Sequence, residues 1–143
     1  MSHFKESFFA EPLAKLHALC FDEPWSEDNF RKILDLPTTF GLGDAFGFVL
    51  CTDLGLDLEI LTLAVHPNRR RNGVASRLLE QLQQMAFDQS KHHIFLEVRA
   101  TNEPAIQLSK KHGFIQTGVR PNYYHEKGGS FDALCFTWTN PRL

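Results

Sequence analysis

The densest chemistry in the chain lies between Leu63 and Ser76. An apolar run is followed by Arg69, Arg70 and Arg71, then Asn72 and Gly73, then Val74, Ala75 and Ser76, which have the character of a helix start. The amino end of a helix presents N–H groups without partners and a partial positive charge; a glycine lets a ligand approach the backbone, and arginines add full charges. That combination suits a pyrophosphate. The G-K-[ST] ending of a P-loop is absent, and the run Gly41-Leu42-Gly43-Asp44-Ala45-Phe46-Gly47 has the wrong spacing for a dinucleotide fingerprint and no helix after it. A solvated basic helix start is the competing account of the same residues.

Glu97 is the second reactive candidate. It sits inside Ile94-Phe95-Leu96-Glu97-Val98, which reads as a buried strand. An unpaired carboxylate there is costly, and burial pushes its pKa toward the range useful for taking a proton at neutral pH. The alternative is an ion pair with Arg99, two residues along on the same face. Asp57 and Glu59, on a neighbouring strand, are placed to attract an ammonium ion or simply to face solvent. Tyr123 and Tyr124 either border a substrate groove or pack against Phe131 and Phe136. Trp25 reads as a core anchor. Cys20, Cys51 and Cys135 are far apart and odd in number, and the 7 histidines show no ligand spacing, so neither a disulfide framework nor a metal site is expected.

The elements that hold these residues follow from periodicity. Glu11 to Cys20 carries Leu13, Leu16 and Leu19 at helical intervals; Ser26 caps a second helix with Phe30, Ile33 and Leu34 as its stripe, closed by Pro37. Short apolar runs around Phe40 and Phe48, punctuated by glycines, suit strands and tight turns. Asp57 to His66 is a longer strand, with Leu58, Ile60, Thr62 and Ala64 on one face and Asp57, Glu59, Leu61, Leu63 and Val65 on the other. A helix is expected from Arg69 to about Gln89, a strand from Ile94 to Val98, and a helix from Glu103 to His112 stopped by Gly113. Two last strands, Ile115 to Arg120 and Phe131 to Trp138, flank a Gly128-Gly129 turn. The order predicts an α/β (α+β) fold: one domain over 1–143 with a mixed central sheet, parallel pairing at its centre, and helices on both faces.

The size agrees. With 143 residues, 43% hydrophobic, 22% charged and 13 Phe, the chain can bury an aromatic core without disulfides. No apolar run approaches a membrane span, the start lacks the order of a signal peptide, and a cytoplasmic protein without a membrane partner is the expectation. The net charge of −2 hides a division: residues 1–68 hold 4 basic and 11 acidic residues, net −7, and residues 69–143 hold 11 basic and 6 acidic, net +5. One part suits an anion and the other a cation. A nucleic-acid binder of this size is usually basic overall, so direct nucleic-acid binding is not expected.

The run Ala64-Val65-His66-Pro67-Asn68-Arg69-Arg70-Arg71-Asn72-Gly73-Val74-Ala75 resembles the acetyl-CoA signature of the GNAT acetyltransferases, Q/R-x-x-G-x-G/A, which falls on Arg70 to Ala75. Leu96-Glu97-Val98-Arg99-Ala100-Thr101-Asn102, Lys111-His112-Gly113-Phe114, Arg120-Pro121-Asn122-Tyr123-Tyr124 and Pro24-Trp25-Ser26 resemble blocks of the ribosomal-protein-alanine N-acetyltransferases within that family. The resemblance covers nearly the whole chain in the right order. It implies a GNAT fold and acetyl transfer from acetyl-CoA, without a metal, to a protein N-terminal amine such as the alanine terminus of a ribosomal protein.

The resemblance also implies residue roles. The backbone at Leu63, Ala64 and Val65 holds the pantetheine arm and helps polarise the thioester; Arg70, Arg71, Asn72, Gly73, Val74, Ala75 and Ser76 surround the pyrophosphate; Asn102 contacts the cosubstrate; Glu97 serves as base. Tyr123 and Tyr124 border the groove for the acceptor's amino-terminal peptide, beside which the charges of Asp57 and Glu59 are the expected attractors of its ammonium. One departure stands out: where the family pattern has Leu-Tyr, with the tyrosine regarded as the acid for the departing thiolate, this chain has Leu108-Ser109. A serine hydroxyl is far less acidic than a phenol of pKa ~10. Ser109 holding a water, or Tyr123 or Tyr124 from the following loop, is then the substitute, or the thiolate, a good leaving group, departs without a dedicated acid. Two other functions remain open: a GNAT enzyme for a small amine or a lysine, and an acyl-CoA-binding module with little catalysis.

Overall fold

Leu13, Leu16 and His17 recur at helical spacing, and helix α1 (Ala10–Cys20) buries that stripe. Helix α2 (Glu27–Leu34) starts where Ser26 accepts a hydrogen bond from the Asn29 N–H, with Glu27 and Asp28 in its first turn; Phe30 and Leu34 are its buried residues. In the computed structural model, which describes residues 10–126 and 128–143, six strands follow: β1 (Thr39–Asp44), β2 (Gly47–Asp53), β3 (Asp57–Val65), β4 (His93–Arg99), β5 (Ile115–Glu126) and β6 (Gly129–Thr139). Helix α3 (Val74–Asp88) joins β3 to β4, and α4 (Glu103–Lys111) joins β4 to β5. The Phe-rich start over residues 1–9 lies outside the described residues.

The sheet runs β1-β2-β3-β4-β6-β5, and every neighbouring pair is antiparallel except β3 with β4. Helices α1 and α2 cover one face, meeting Phe48, Leu50 and Ala64; α3 and α4 cover the other, meeting Val49, Cys51, Leu58, Ile60 and Ile94. This is the mixed sheet with helices on both faces that the sequence predicts.

Two irregularities position the site. The register of β2 against β3 steps from Leu50↔Thr62 to Cys51↔Ile60, so Leu61 has no counterpart: a bulge. Leu58 and Ile60 therefore join the core under α3, whereas Thr62 and Ala64 turn to the α1 side. The expectation that these four residues share one face is corrected, because alternation breaks at the extra residue. Second, β3 and β4 pair only from Asp57↔His93 to Glu59↔Phe95, although β3 continues to Val65 and β4 to Arg99. Beyond Glu59 the two strands part, and the backbone edge they leave faces an opening.

The helix expected from Arg69 begins five residues later. Pro67–Arg69 is a single 3₁₀ turn, and Arg71 (φ 66°) and Gly73 (φ 75°) both take left-handed conformations before Val74. A helix cannot propagate through that backbone, so the three arginines belong to the loop. Strand β5 runs past its expected end at Arg120, with a register break between Arg120 and Tyr124 where the Asn122 N–H donates to the Asp132 side chain of β6 instead of to its backbone.

Candidate active site

Where β3 and β4 diverge there is a cavity of about 620 Å³. Its walls come from β3 (Ile60, Leu61, Thr62, Leu63), β4 (Leu96, Glu97, Val98, Arg99), the end of α1 and the segment after it (His17, Cys20, Phe21, Asp22, Glu23, Trp25), α4 (Asn102, Ala105, Leu108, Ser109), and Tyr123, Tyr124 and His125 of β5. Residues 96 and 98 point toward α3 and α4, so Glu97 faces the α1 side, as Thr62 does.

Glu97 is partly exposed and paired: its Oε1 lies 3.0 Å from Nε of Arg120, which stands where β5 breaks register. Arg99, the partner anticipated from sequence, carries its guanidinium 4.5 Å from the Phe131 ring centre instead. Arg120 also lies 5.2 Å over the ring of Tyr123. The carboxylate is thus neither unpaired nor sealed from water, and Arg120 fixes its orientation. Tyr123 is 49% exposed and meets Tyr124 edge-on at 5.2 Å. Tyr124 stands opposite Phe131 in the β5–β6 ladder, so its packing and its place on the cavity wall coexist.

Ser109 reaches the same cavity from α4 but is 1% exposed, and its hydroxyl donates to the Ala105 carbonyl at 2.8 Å. Its proton is committed to the helix backbone. Asn102 caps α4, accepting from the Ala105 N–H at 3.3 Å, and its side of the cap lines the cavity.

The loop at the end of β3 is exposed and pinned at several points. Arg70 Nε donates to the Val65 carbonyl at 3.3 Å, Arg77 donates to the Asn72 carbonyl at 2.8 Å, and Arg69 lies 5.0 Å from the Phe46 ring centre. Gly73 occupies the N-cap of α3 and offers no side chain to the free N–H groups of Val74, Ala75 and Ser76. Close by, the Ser76 hydroxyl lies 3.0 Å from Nε2 of His112, whose pKa burial pushes down, with Glu80 raising it and Lys111 lowering it. Gly47 is needed on the other side, because a Cβ there would come within 2.7 Å of Val74.

Asp57 and Glu59 are not among the residues lining the cavity; Asp57 is paired with His93 at 2.9 Å. They lie in the stretch where β3 and β4 are still joined, before the strands part. The acids at the cavity are Asp22, Glu23 and Glu97. Sequence reasoning also misses His17, which is 2% exposed and whose pKa burial lowers to about 4. Its place one helical turn after Leu13 on the apolar stripe of α1 is the available signal. Among the described residues no cluster of three or more His, Cys, Asp or Glu could hold a metal ion.

Residues 10–114 match the acetyltransferase (GNAT) family. The chain is 33% identical over 117 residues to the [ribosomal protein bS18]-alanine N-acetyltransferase of Salmonella typhimurium, covering 78% of each chain. It is 30% identical over 130 residues to the N-alpha-acetyltransferase RimI of Mycobacterium tuberculosis, covering 83% of this chain and 80% of that one. In three dimensions it resembles the ribosomal-protein-S18-alanine N-acetyltransferase of Escherichia coli, with a TM-score of 0.87 at 24% identity over 96% of this chain and 92% of that one. It also resembles Arabidopsis thaliana NAA60 in complex with acetyl-CoA, with a TM-score of 0.79 at 20% identity over 92% of this chain and 93% of that one. The diverging strands, the uncapped helix behind a basic loop and the match along residues 10–114 lead to one conclusion: the chain belongs to the GNAT acetyltransferase family and is an N-acetyltransferase.

Proposed function

We propose that this enzyme transfers the acetyl group of acetyl-CoA to the N-terminal α-amine of a protein, with the alanine terminus of a ribosomal protein as substrate. The observation that carries the reading is the position of Glu97, where β3 and β4 part, on the wall of a cavity that Asp22, Glu23 and the two tyrosines also line. The relatives named for acetylation of a ribosomal-protein alanine support the choice of acceptor.

The residues fit the cosubstrate. The edge of β3 that β4 leaves unpaired, at Leu63, Ala64 and Val65, has the extended backbone that a pantetheine arm can pair with, the Val65 carbonyl already accepting from Arg70 and Cys20, and the uncapped amino end of α3, with Arg70 and Arg71 before it, suits a pyrophosphate. Acetyl-CoA supplies an acetyl group already activated as a thioester. The protein's part is to align an amine with that thioester and to take its proton. Glu97 accepts the proton, directly or through water, and Arg120 holds the carboxylate in place. Because the Ser109 hydroxyl is engaged by Ala105, the phenol of Tyr123 or Tyr124, or water, is left to meet the departing thiolate, which is a stable leaving group.

The same engagement of Ser109 favours a second reading, a CoA-binding module with little catalysis. Thiol release from acetyl-CoA in the presence of an Ala-starting peptide separates the two. The enzyme reading expects release that falls 10²- to 10⁴-fold in Glu97→Gln, while CoA still raises the melting temperature of the variant. The module reading expects the same thermal shift with no peptide-dependent release in either protein.

A further inference from the structure

The buried His17 and Thr62 and the half-buried Trp25 form a relay on the α1 side of the cavity. The Trp25 backbone N–H donates to Nδ1 of His17 at 3.0 Å, so Nδ1 carries a lone pair and the proton of the neutral ring is on Nε2. Nε2 lies 3.1 Å from Oγ1 of Thr62 and donates to it. Phe21, Trp25 and Phe30 pack around the ring, with the Phe21 ring stacked at 4.1 Å, so it has little freedom to turn. Among the described residues Thr62 Oγ1 has no other hydrogen-bond partner, and Thr62 lines the cavity. Since His17 fills an acceptor position of the hydroxyl, the hydrogen of Thr62 is the part left to be given away, and the cavity is where it can go.

We propose that Thr62, oriented by His17, is the hydroxyl donor that holds the carbonyl oxygen of the acceptor's first peptide group, which makes His17 a positioning residue for acceptor binding. The inference rests on the acceptor being a peptide, as proposed above. The chemistry chooses the carbonyl. An ammonium nitrogen has no lone pair to receive the hydrogen, and an amine that gave its lone pair to Thr62 could not attack. The thioester carbonyl is the other oxygen near the strands. Thr62, however, is turned by the Leu61 bulge to the α1 side, where it shares a face with Glu97, whereas the phosphate loop leads into α3 on the opposite face.

The test is steady-state kinetics on an Ala-starting tetrapeptide with Thr62→Val, which keeps the shape and removes the hydroxyl, and Thr62→Ser, which keeps the hydroxyl. Loss of one neutral hydrogen bond should raise the peptide KM about tenfold in Thr62→Val, with kcat and the acetyl-CoA KM within about twofold of wild type and near-recovery in Thr62→Ser. His17→Phe, which suits the aromatic surroundings but leaves Thr62 unoriented, should raise the peptide KM in the same way. If kcat instead drops by about a hundredfold or more while the peptide KM is unchanged, the hydroxyl serves the thioester oxygen and the proposal is overturned. An unchanged peptide KM in Thr62→Val also overturns it. If the wild-type protein acetylates no peptide, the proposed function fails and the carbonyl assignment falls with it. Nitrogen NMR of the His17 ring tests the relay itself: a proton found on Nδ1 contradicts it whatever the acceptor.

Discussion

Glu97 and Ser109 show what residue type alone can and cannot convey. A carboxylate within an apolar strand singles out Glu97, and it lines the cavity, but paired and partly exposed rather than alone and buried. Its partner is not legible, because Arg120 is 23 positions away in sequence and reaches Glu97 only through the way β5 and β6 fold back. The departure at Ser109 is visible in the motif, but the destination of its proton is not: a mid-helix serine can turn to solvent or back to the preceding turn, and here it bonds Ala105. Ser109→Ala is therefore expected to change kcat by less than about threefold, since the hydroxyl lost was giving its proton to the helix. A hundredfold decrease in steady-state assays would show that the serine takes part in the proton transfer. His17 escapes notice in the sequence because a histidine on an apolar helix face is more often core than site, and nothing local reveals that Trp25 and Thr62 will meet its two nitrogens.

At the scale of elements, the number, type and order of helices and strands follow from periodicity, and two of the places where that reading fails, in β3 and before α3, build the site. The bulge at Leu61 leaves no mark in a strand that is apolar on both faces, because either alternation looks buried. The late start of α3 has a signal, Gly73, but Arg71 also takes positive φ, and arginine is not a residue from which that is read. Gly73 has room for a Cβ apart from Arg77 Nη1 at 3.3 Å, so the cost of a side chain there is conformational. Gly73→Ala is expected to lower stability by about 1 to 2 kcal/mol in urea titration and to weaken CoA binding by about tenfold in calorimetry, as the helix amino end shifts. The same substitution with unchanged affinity would remove this loop from the phosphate site.

Across the whole molecule, charge and burial divide the work. The basic stretch is the exposed loop before α3, and acidic Asp22 and Glu23 stand at the cavity, whereas Asp57 is occupied by His93. Of the acids in the first half of the chain, Asp22 and Glu23 are the ones that line the cavity. Burial of His17 also gives the fold a pH dependence. The unfolded chain takes up a proton on this ring near pH 6.5 and the folded protein only near pH 4. Stability from this source is complete above about pH 6.5 and declines as pH falls to about 4, by about 3 kcal/mol. Asp53, held below its usual range chiefly by its hydrogen bond with Lys91, adds a loss at lower pH still. Urea titrations between pH 7 and 4 should show the His17 slope in the wild type and a shallower one in His17→Phe; equal slopes would assign the dependence elsewhere. The central claim is acetyl transfer to an N-terminal α-amine. Its most direct test is fragmentation mass spectrometry of a peptide with an N-terminal alanine and an internal lysine after incubation with the enzyme and acetyl-CoA. A single acetyl group on the terminal alanine, absent when that terminus is blocked, is the predicted result. Acetyl on the lysine, or none on the peptide, would contradict it.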